Sequence, residues 1–358
     1  MGIKVLTIVG ARPQFIKAAA LSREIKNRND ISEIIVHTGQ HFDPNMSKIF
    51  FMEMDIPEPN YNLGISGGSH GDMTGKMLIE IEKILLIENP DWVIVYGDTN
   101  STLAGALAAA KLNIRVAHIE AGLRSFNMNM PEEKNRILTD RLSTVLFCPT
   151  EIAIKNLQKE GYEGFEVKII NVGDIMLDAA MYYSKKITGI KIISDFNFDS
   201  DYVLATCHRA ENTDCPSRMS EIVEALNKIS KDTRVIVPLH PRTRKKIDLY
   251  GLSIDFDVIE PVGYFDMLSL IINSNCVLTD SGGLQKEAYF FKKPCVTMRD
   301  ETEWMELVNC GVNIIAGASA DKILSSFQQV LKIKNFPDNL YGRGTTSNDI
   351  LDTLVSNF

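Results

Sequence analysis

The sequence predicts an α/β protein with two doubly wound, Rossmann-like domains, and three observations support this class. Short apolar runs of strand type alternate with segments of helical periodicity along almost the whole chain. The alternation stops near residues 171–174, where a helix and a polar segment (185–200) follow, and it restarts at 202–206, which indicates a second domain. A length of 358 residues also exceeds what one typical hydrophobic core supports. We expect two parallel sheets that face each other across a cleft.

The first half predicts an N-terminal domain over residues 1–172. Pro13 suits the first turn of the helix that follows the first strand. Gly64 to Gly71 form a loop rich in glycine and serine, but it matches neither nucleotide-binding fingerprint, GxGxxG or GxxxxGK. Strands are expected at 4–9, 34–37, 93–96, 116–119, 144–148 and 167–170, and helices at 15–25, 72–88, 100–111, 131–142 and 150–160.

The second half predicts a C-terminal domain over residues 173–344. A final helix lies within residues 345–358 and can pack on either domain, the N-terminal one included. Strands are expected at 202–206, 234–238, 256–259, 275–279 and 294–298, and helices at 215–230, 240–249, 264–273 and 283–291.

The composition is that of an ordinary soluble protein, with 45% hydrophobic and 23% charged residues. A net charge of -8 argues against nucleic-acid binding. Neither a signal sequence nor an apolar segment of about 20 residues is present, so we expect a cytoplasmic protein without membrane contact. The six cysteines are scattered without a CxxC pair, which predicts reduced thiols and no metal site.

Acidic residues follow two neighbouring strands of the first half. Asp98 and Glu120 each come directly after an apolar run, and ligands bind beyond the carboxyl ends of strands in open parallel sheets. A plainer interpretation is that Asp98 only caps the next helix and Glu120 only pairs with Arg124. For a single acid we favour that interpretation, but Glu132 and Glu133 in the first turn of the next helix reverse the balance.

Basic residues near predicted strand ends suggest anion sites in both halves. Arg12 and Lys17 lie around a helix N-terminus, although a solvated arginine has nearly equal weight there. In the second half, basic or glycine-rich turns follow three strands, and glycine lets backbone N–H groups approach a diphosphate. These turns hold His208 and Arg209, then His240, Arg242 and Arg244, then Ser281, Gly282 and Gly283. One such motif is weak evidence, but three at one edge favour anion binding.

Taken together, these motifs resemble the non-hydrolysing UDP-N-acetylglucosamine 2-epimerase family over nearly the whole chain. The matching segments are 10–13 with 16–17, 97–99, 118–124, 131–136, 208–212 and 280–287. No single motif suffices, but their order and spacing are specific. The resemblance implies a glycosyltransferase-B type of fold, a homodimer, a UDP-sugar partner and no cofactor.

The resemblance also implies an activity and site residues. The activity is that of an isomerase that interconverts UDP-GlcNAc and UDP-ManNAc for surface polysaccharide synthesis, by eliminating UDP to 2-acetamidoglucal and adding it back. The implied catalytic residues are Asp98, Glu120, Glu132 and His208. The implied UDP-sugar contacts are Arg12, Lys17, Arg136, His208, Arg209, His240, Arg242, Ser281, Gly282, Gly283, Glu287 and Arg299, and the implied effector contacts are Gln40 and His41.

This chemistry agrees with the residues present. The C2 proton of a 2-acetamido sugar is not next to a carbonyl group, so simple deprotonation is too costly. Elimination of UDP needs one base, a differently placed acid and a cationic cradle for the departing diphosphate. Grouped carboxylates can hold a shared proton, because like charges raise the pKa of one of them. The sequence does not assign either acid to a face of C2.

Departures from the family pattern leave the substrate open. Gln14 stands where the family usually has Glu, Ala210 where it has Arg, and Trp304–Met305 where it has Arg-Pro. These changes resemble the branch that acts on UDP-2,3-diacetamido-2,3-dideoxyglucuronic acid, which is the first alternative. A UDP-sugar-dependent glycosyltransferase and a non-catalytic UDP-sugar sensor are alternatives of other classes, and the acid set favours the epimerase over both.

Overall fold

A computed structural model describes residues 2–40, 54, 56–187 and 201–356. It contains two compact units, Met1–Ala179 with Asn339–Phe358, and Ala180–Asp338. Each unit is built on one sheet whose strand pairs are all parallel, which confirms the predicted fold class of two doubly wound domains.

The first unit holds a seven-stranded sheet. Its strands are β1 (Ile3–Val9), β2 (Ile31–His37), β3 (Tyr61–Asn62), β4 (Trp92–Tyr96), β5 (Arg115–Ile119), β6 (Val145–Cys148) and β7 (Lys168–Asn171). The spatial order is β3-β2-β1-β4-β5-β6-β7. The direction in which strands are added reverses between β1 and β4, so the carboxyl ends of these two strands form the switch point at which such sheets bind ligands.

The helices that accompany this sheet are α1 (Arg12–Lys26), α2 (His70–Glu88), α3 (Asn100–Lys111), α4 (Pro131–Leu142) and α5 (Glu151–Lys159). Helix α6 (Ile175–Ser184) begins in the first unit and ends in the second. Residues of β1 and β4 such as Leu6 and Val95 pack against Met77 and Ile81 of α2, so the strands are apolar on this face. The side chain of Ser69 accepts a hydrogen bond from Asp72 N and starts α2 two residues before the predicted position.

The second unit holds a six-stranded sheet. Its strands are β8 (Tyr202–Thr206), β9 (Arg234–Pro238), β10 (Asp257–Ile259), β11 (Cys276–Thr279), β12 (Cys295–Thr297) and β13 (Asn313–Ile315). The spatial order is β10-β9-β8-β11-β12-β13, which places the switch point between β8 and β11.

The helices of the second unit surround this sheet. They are α7 (Ala210–Thr213), α8 (Pro216–Ser230), α9 (Pro241–Leu249), α10 (Tyr264–Asn273), α11 (Gly282–Phe290), α12 (Met305–Asn309) and α13 (Ala320–Val330). Ile222 of α8 and Ile323 of α13 pack on Val203 and Leu278 of the sheet. The sequence interpretation did not include β3, β13, α7, α12 or α13.

The chain ends in α14 (Thr346–Ser356), which belongs to the first unit. The Asp178 carboxylate of α6 accepts hydrogen bonds from the backbone N–H groups of Thr346 (3.2 Å) and Ser347 (2.7 Å) at the start of this helix. Arg28, after α1, pairs with Asp352 of α14 at 2.5 Å. Among the described helices, none is both long and apolar enough to cross a membrane.

Candidate active site

Asp98 lies at the end of β4, at the switch point of the first sheet. Its Oδ2 atom accepts a hydrogen bond from Arg136 Nη2 at 2.6 Å, and its backbone oxygen accepts one from Asn135 Nδ2 at 2.9 Å. Arg136 is almost fully buried, whereas about a third of the Asp98 side chain is exposed (30%). Arg136 and Asn135 of α4 therefore fix Asp98 in place, while part of its carboxylate stays accessible.

Glu120 follows β5, the neighbouring strand, and its backbone is strained. Its φ of 70° lies in the left-handed region, which costs about 1–3 kcal/mol for a residue other than glycine. The carboxylate forms a close ion pair with Lys17 of α1, and both side chains are mostly buried. A Cβ atom on Gly97 would lie 3.2 Å from Glu120 Oε2, so this carboxylate lies over the turn that leads into Asp98.

The two acids at the start of α4 have different surroundings. Glu132 is exposed and lies four residues before Arg136, on the same face of the helix. Glu133 is buried and accepts hydrogen bonds from Ser125 N (3.0 Å), Phe126 N (2.8 Å) and Arg136 Nη1 (2.7 Å). Burial opposes ionisation of Glu133, but these donors outweigh it and lower its pKa. Glu133 therefore anchors the loop before α4.

Both plainer interpretations of the acids are wrong. The residue that caps α3 is Thr99, whose side chain accepts a hydrogen bond from Thr102 N, and Asp98 instead pairs with Arg136. Arg124 pairs with Asp140 and Glu160 rather than with Glu120.

A buried network lies behind the two acids. His118 of β5 contacts Asp140 Oδ1 through Nδ1 and the Gly97 carbonyl oxygen through Nε2, each at 2.7 Å. Asp140 Oδ2 also accepts a hydrogen bond from Arg124 Nη1 at 2.7 Å. His118 and Asp140 are fully or almost fully buried, at 0% and 1% exposed. Sequence reasoning gave neither residue a role.

Gln14 organises the turn after β1. Its Oε1 atom accepts hydrogen bonds from Gly10 N (2.8 Å) and Ala11 N (3.1 Å), and its Nε2 atom donates to the Tyr96 carbonyl oxygen (2.8 Å). A Cβ atom on Gly10 would lie 2.2 Å from two hydroxyl oxygens, so only glycine fits this close approach. Arg12 is the first residue of α1, which begins at this turn.

Asp280 joins the two strand ends at the switch point of the second sheet. It is fully buried, and its Oδ2 atom accepts hydrogen bonds from the backbone N–H groups of His208 and Arg209, each at 2.9 Å. The predicted residues His208, Arg209 and Ser281 therefore lie at one place in the second unit. The sequence shows Asp280 directly before the Ser281 turn, but its type alone does not reveal this tethering role.

A second group in this unit surrounds the N-terminus of α11. A Cβ atom on Gly282 would lie 3.4 Å from Trp304 Nε1 and 3.6 Å from Glu303 Oε2. Arg299 is almost fully buried (1% exposed) and pairs with Glu303 at 3.2 Å. Glu287 is also buried, one turn into α11, and Gly283 is exposed at its start.

The remaining predicted site residues are more peripheral. His240 and Arg242 are exposed at the start of α9, and Arg242 pairs with Asp214 at 2.7 Å. Gln40 Oε1 accepts hydrogen bonds from Ser101 N (3.1 Å) and Ser101 Oγ (2.8 Å) in α3. His41 lies outside the described residues. The described part of the chain contains no group of three His, Cys, Asp or Glu residues placed to hold a metal ion.

Comparisons with known proteins show what this chain is similar to. A family model described as UDP-N-acetylglucosamine 2-epimerase matches residues 23–355. The UDP-2,3-diacetamido-2,3-dideoxy-D-glucuronate 2-epimerase of Pseudomonas aeruginosa is 57% identical over 357 residues, which cover 99% of each protein. The UDP-N-acetylglucosamine 2-epimerase of Methanocaldococcus jannaschii is 46% identical over 365 residues, again 99% of each.

The solved structures that resemble this chain include members of the same family. The crystal structure of Methanocaldococcus jannaschii UDP-GlcNAc 2-epimerase in complex with UDP-GlcNAc and UDP has a TM-score of 0.90 at 46% identity, and the match covers 99% of this chain and 100% of that one. The enzyme from Neisseria meningitidis bound to UDP-GlcNAc has a TM-score of 0.90 at 34% identity, with the same coverage.

Proposed function

Because this chain belongs to the UDP-N-acetylglucosamine 2-epimerase family, we propose that it inverts C2 of a UDP-linked 2-acetamido sugar. Family membership favours this isomerase activity over the glycosyltransferase and the UDP-sugar sensor. We further propose UDP-2,3-diacetamido-2,3-dideoxy-D-glucuronate as the substrate. The observation that carries this choice is the 57% identity to the Pseudomonas aeruginosa epimerase, which is named for that sugar and matches 99% of the chain.

UDP-GlcNAc is the second candidate substrate, and it was the first choice from sequence alone. It is supported by the 46% identity to the Methanocaldococcus jannaschii epimerase, whose solved complex contains UDP-GlcNAc and UDP. The two sugars differ at two carbons. The diacetamido glucuronate carries an acetamido group at C3 and a carboxylate at C6, where UDP-GlcNAc has a hydroxyl and a hydroxymethyl group. The C2 chemistry is therefore the same for both.

In the proposed reaction, one carboxylate removes the C2 proton. The electrons of the C2–H bond form the C1–C2 double bond, and the C1–O bond breaks so that UDP leaves with its electron pair. UDP then adds back to C1 while C2 receives a proton on the opposite face, which inverts C2. We assign these proton transfers to Asp98, Glu120 and Glu132, supported by the two adjacent strand ends that carry Asp98 and Glu120.

The second unit is proposed to bind the UDP moiety. The N-terminus of α11 offers backbone N–H groups at Gly282 and Gly283, and glycine leaves them accessible to phosphate oxygens. His208 and Arg209 are held beside this turn by Asp280, and they would offset the charge that builds on the departing diphosphate. We assign Glu287 to the ribose hydroxyls. Arg12, Lys17, Arg136, His240, Arg242 and Arg299 remain proposed UDP-sugar contacts.

We also propose that the protein is a homodimer that supplies precursors for surface polysaccharides. Support for a dimer comes from the outer face of α2, where Ile79, Leu86 and Ile87 are 57%, 66% and 73% exposed. Their spacing of seven and eight residues places them on one stripe of the helix. Sedimentation velocity tests the dimer, and Ile87→Lys should weaken it.

The proposed activity is tested by NMR of the purified protein in D2O with each UDP-sugar in turn. We expect the C2 epimer to form with deuterium incorporated at C2. We also expect faster turnover of UDP-2,3-diacetamido-2,3-dideoxy-D-glucuronate than of UDP-GlcNAc. Faster turnover of UDP-GlcNAc would move the chain to the second candidate. Release of free UDP and free sugar would mean a hydrolysing enzyme, and the proposal would be wrong.

A further inference from the structure

We infer that His118 is held as an imidazolium that positions the Gly97–Asp98 turn for the proton-transfer step. Its ring lies fully inside the first unit, with Nδ1 2.7 Å from Asp140 Oδ1 and Nε2 2.7 Å from the Gly97 carbonyl oxygen. The protonation state follows from these contacts and from the charges around them, and it does not depend on the function of the protein. The positioning role rests on the proposed function.

Both ring nitrogens of His118 face oxygen atoms that accept hydrogen bonds and have no hydrogen to donate. A backbone carbonyl oxygen has no hydrogen to offer, so Nε2 must donate to Gly97. On the other side, the Arg124 guanidinium donates to Asp140 Oδ2 at 2.7 Å, and a buried cation at this distance favours the ionised form of the carboxyl, which leaves Oδ1 as an acceptor. Nδ1 therefore donates as well, and a ring with two N–H donors is the cation. Rotating the ring by half a turn would place carbon atoms opposite both oxygen atoms, and both hydrogen bonds would be lost.

The surrounding charges balance this cation. Arg124 is buried and pairs with both Asp140 and Glu160, at 2.7 Å each. Together with His118 the group contains two positive and two negative charges, and only Glu160 among them is partly exposed. Protonation of the ring makes the group neutral, whereas a neutral ring would leave it with one net negative charge, which burial of Asp140 makes unfavourable.

Two titratable groups near Asp140, the Cys148 thiol and the Tyr162 hydroxyl, carry no charge at neutral pH. The charged groups nearby, Glu151 with Arg141 and Glu120 with Lys17, are of opposite sign within each pair. Burial raises the pKa of the Cys148 thiol well above its ordinary value and that of the Tyr162 hydroxyl beyond its usual range. Burial also opposes ionisation of Asp140, but His118 and Arg124 outweigh it and lower the pKa of that carboxyl. The anion that faces His118 is therefore present across the physiological range.

This arrangement ties together the two strand ends that carry the acids. Gly97 has a φ of 61° and directly precedes Asp98, so the bond from His118 to its carbonyl oxygen fixes a turn that could otherwise rotate. His118 also lies two residues before Glu120, whose backbone is strained. The His118 cation therefore fixes the end of β4 relative to the end of β5. Because the ring is fully buried, it does this without contacting the substrate.

NMR of the ring nitrogens tests the charge directly. The wild-type protein, labelled with ¹⁵N, is measured at about pH 8, where an ordinary histidine is neutral. We expect two protonated ring nitrogens for His118. His37 is the internal control, because burial lowers its pKa and it should show one bare nitrogen. His118→Gln and His37→Gln assign the two signals, and Asp140→Asn assigns the first if His118→Gln does not fold. A bare nitrogen in His118 would overturn the proposal.

Kinetics test the positioning role. Misplacing a catalytic group by about 1 Å can reduce the rate by about 10²-fold, so His118→Gln should lower kcat by that order while KM changes by a few-fold. His37→Gln changes a buried histidine at the end of β2 and should leave kcat within a few-fold. Equal losses of kcat in both variants would overturn the positioning role. Absence of turnover by the wild-type protein with either sugar would refute the proposed function but leave the NMR result standing.

Discussion

Arg136 Nη2 lies 2.6 Å from Asp98 Oδ2, and the same guanidinium donates through Nη1 to Glu133 Oε2 at 2.7 Å. One cation thus connects the end of β4 with the first turn of α4. Glu133 is itself fixed by backbone N–H groups of the loop before α4. This loop therefore orients the Asp98 carboxylate through Glu133 and Arg136. Positioned acids of this kind are what a stereospecific proton transfer requires.

Asp98→Asn and Glu120→Gln should each abolish epimerisation, because an amide cannot exchange the proton that the reaction needs. Both residues lie in the first unit, whereas the proposed diphosphate contacts lie in the second, so the Kd for UDP should stay within a few-fold. Turnover is followed by NMR in D2O and UDP binding by calorimetry. If either variant kept wild-type turnover, the role assigned to that residue would be wrong.

Glu132→Gln and Glu133→Gln form a matched pair of neighbours with opposite expected effects. Glu132 is exposed, so its loss should lower turnover and change the free energy of unfolding by less than about 0.5 kcal/mol. Glu133 is buried and accepts hydrogen bonds from Ser125, Phe126 and Arg136, so its loss should destabilise the protein by about 1–3 kcal/mol. Denaturant unfolding and turnover assays on both variants separate the two roles, and the reverse pattern would exchange them.

Much of this fold follows from local patterns in the sequence. Strands such as β4 and β8 are buried on both faces, so they read as nearly continuous apolar runs, which are followed by Gly97 and Cys207. Strand β13 was missed because it has only three residues, and two of them are partly exposed at the edge of the sheet. Helix α13 has a clear apolar stripe, but the strand directly before it in the chain, β13, was not predicted, so the strand–helix alternation did not indicate this helix.

The candidate site was predictable only where the residue type itself is informative. Asp98 and Glu120 follow adjacent strands, and parallel-sheet geometry alone places them at one rim. The supporting residues could not be predicted in this way. Asp140 of α4 reaches His118 of β5 only through tertiary packing, and Glu133 differs from Glu132 only in the face of the helix that it occupies.

The stability of the first unit should depend on pH through Glu33 of β2. Glu33 Oε1 accepts a hydrogen bond from Thr7 Oγ1 at 2.6 Å, and partial removal of the carboxyl from water raises its pKa above the ordinary value. For an acid whose pKa is raised on folding, the contribution to stability is fully present below the unfolded pKa and is lost as the pH rises through the folded pKa. Ionisation of Glu33 should therefore destabilise the protein at higher pH.

Glu33→Gln tests this expectation because glutamine cannot ionise. The free energy of unfolding of the variant, relative to wild type, should increase from about pH 5 to about pH 8 in urea titrations. Glu82→Gln, on the exposed side of α2, is the control and should show no such trend. A difference between Glu33→Gln and wild type that stays constant over this range would contradict the raised pKa.

Asp280→Asn should weaken UDP binding, although Asp280 itself is not a proposed UDP contact. The buried carboxylate holds the backbone N–H groups of His208 and Arg209, each at 2.9 Å, and an amide nitrogen in place of Oδ2 would face those donors with a donor. Losing one such bond corresponds to about 1.4 kcal/mol, or about a tenfold increase in the Kd for UDP. Asp300→Asn is the control, since Asp300 is exposed and pairs with Arg218 at the surface. Calorimetry on folded protein measures both, and an unchanged Kd in Asp280→Asn would mean that the turn after β8 does not contribute to nucleotide binding.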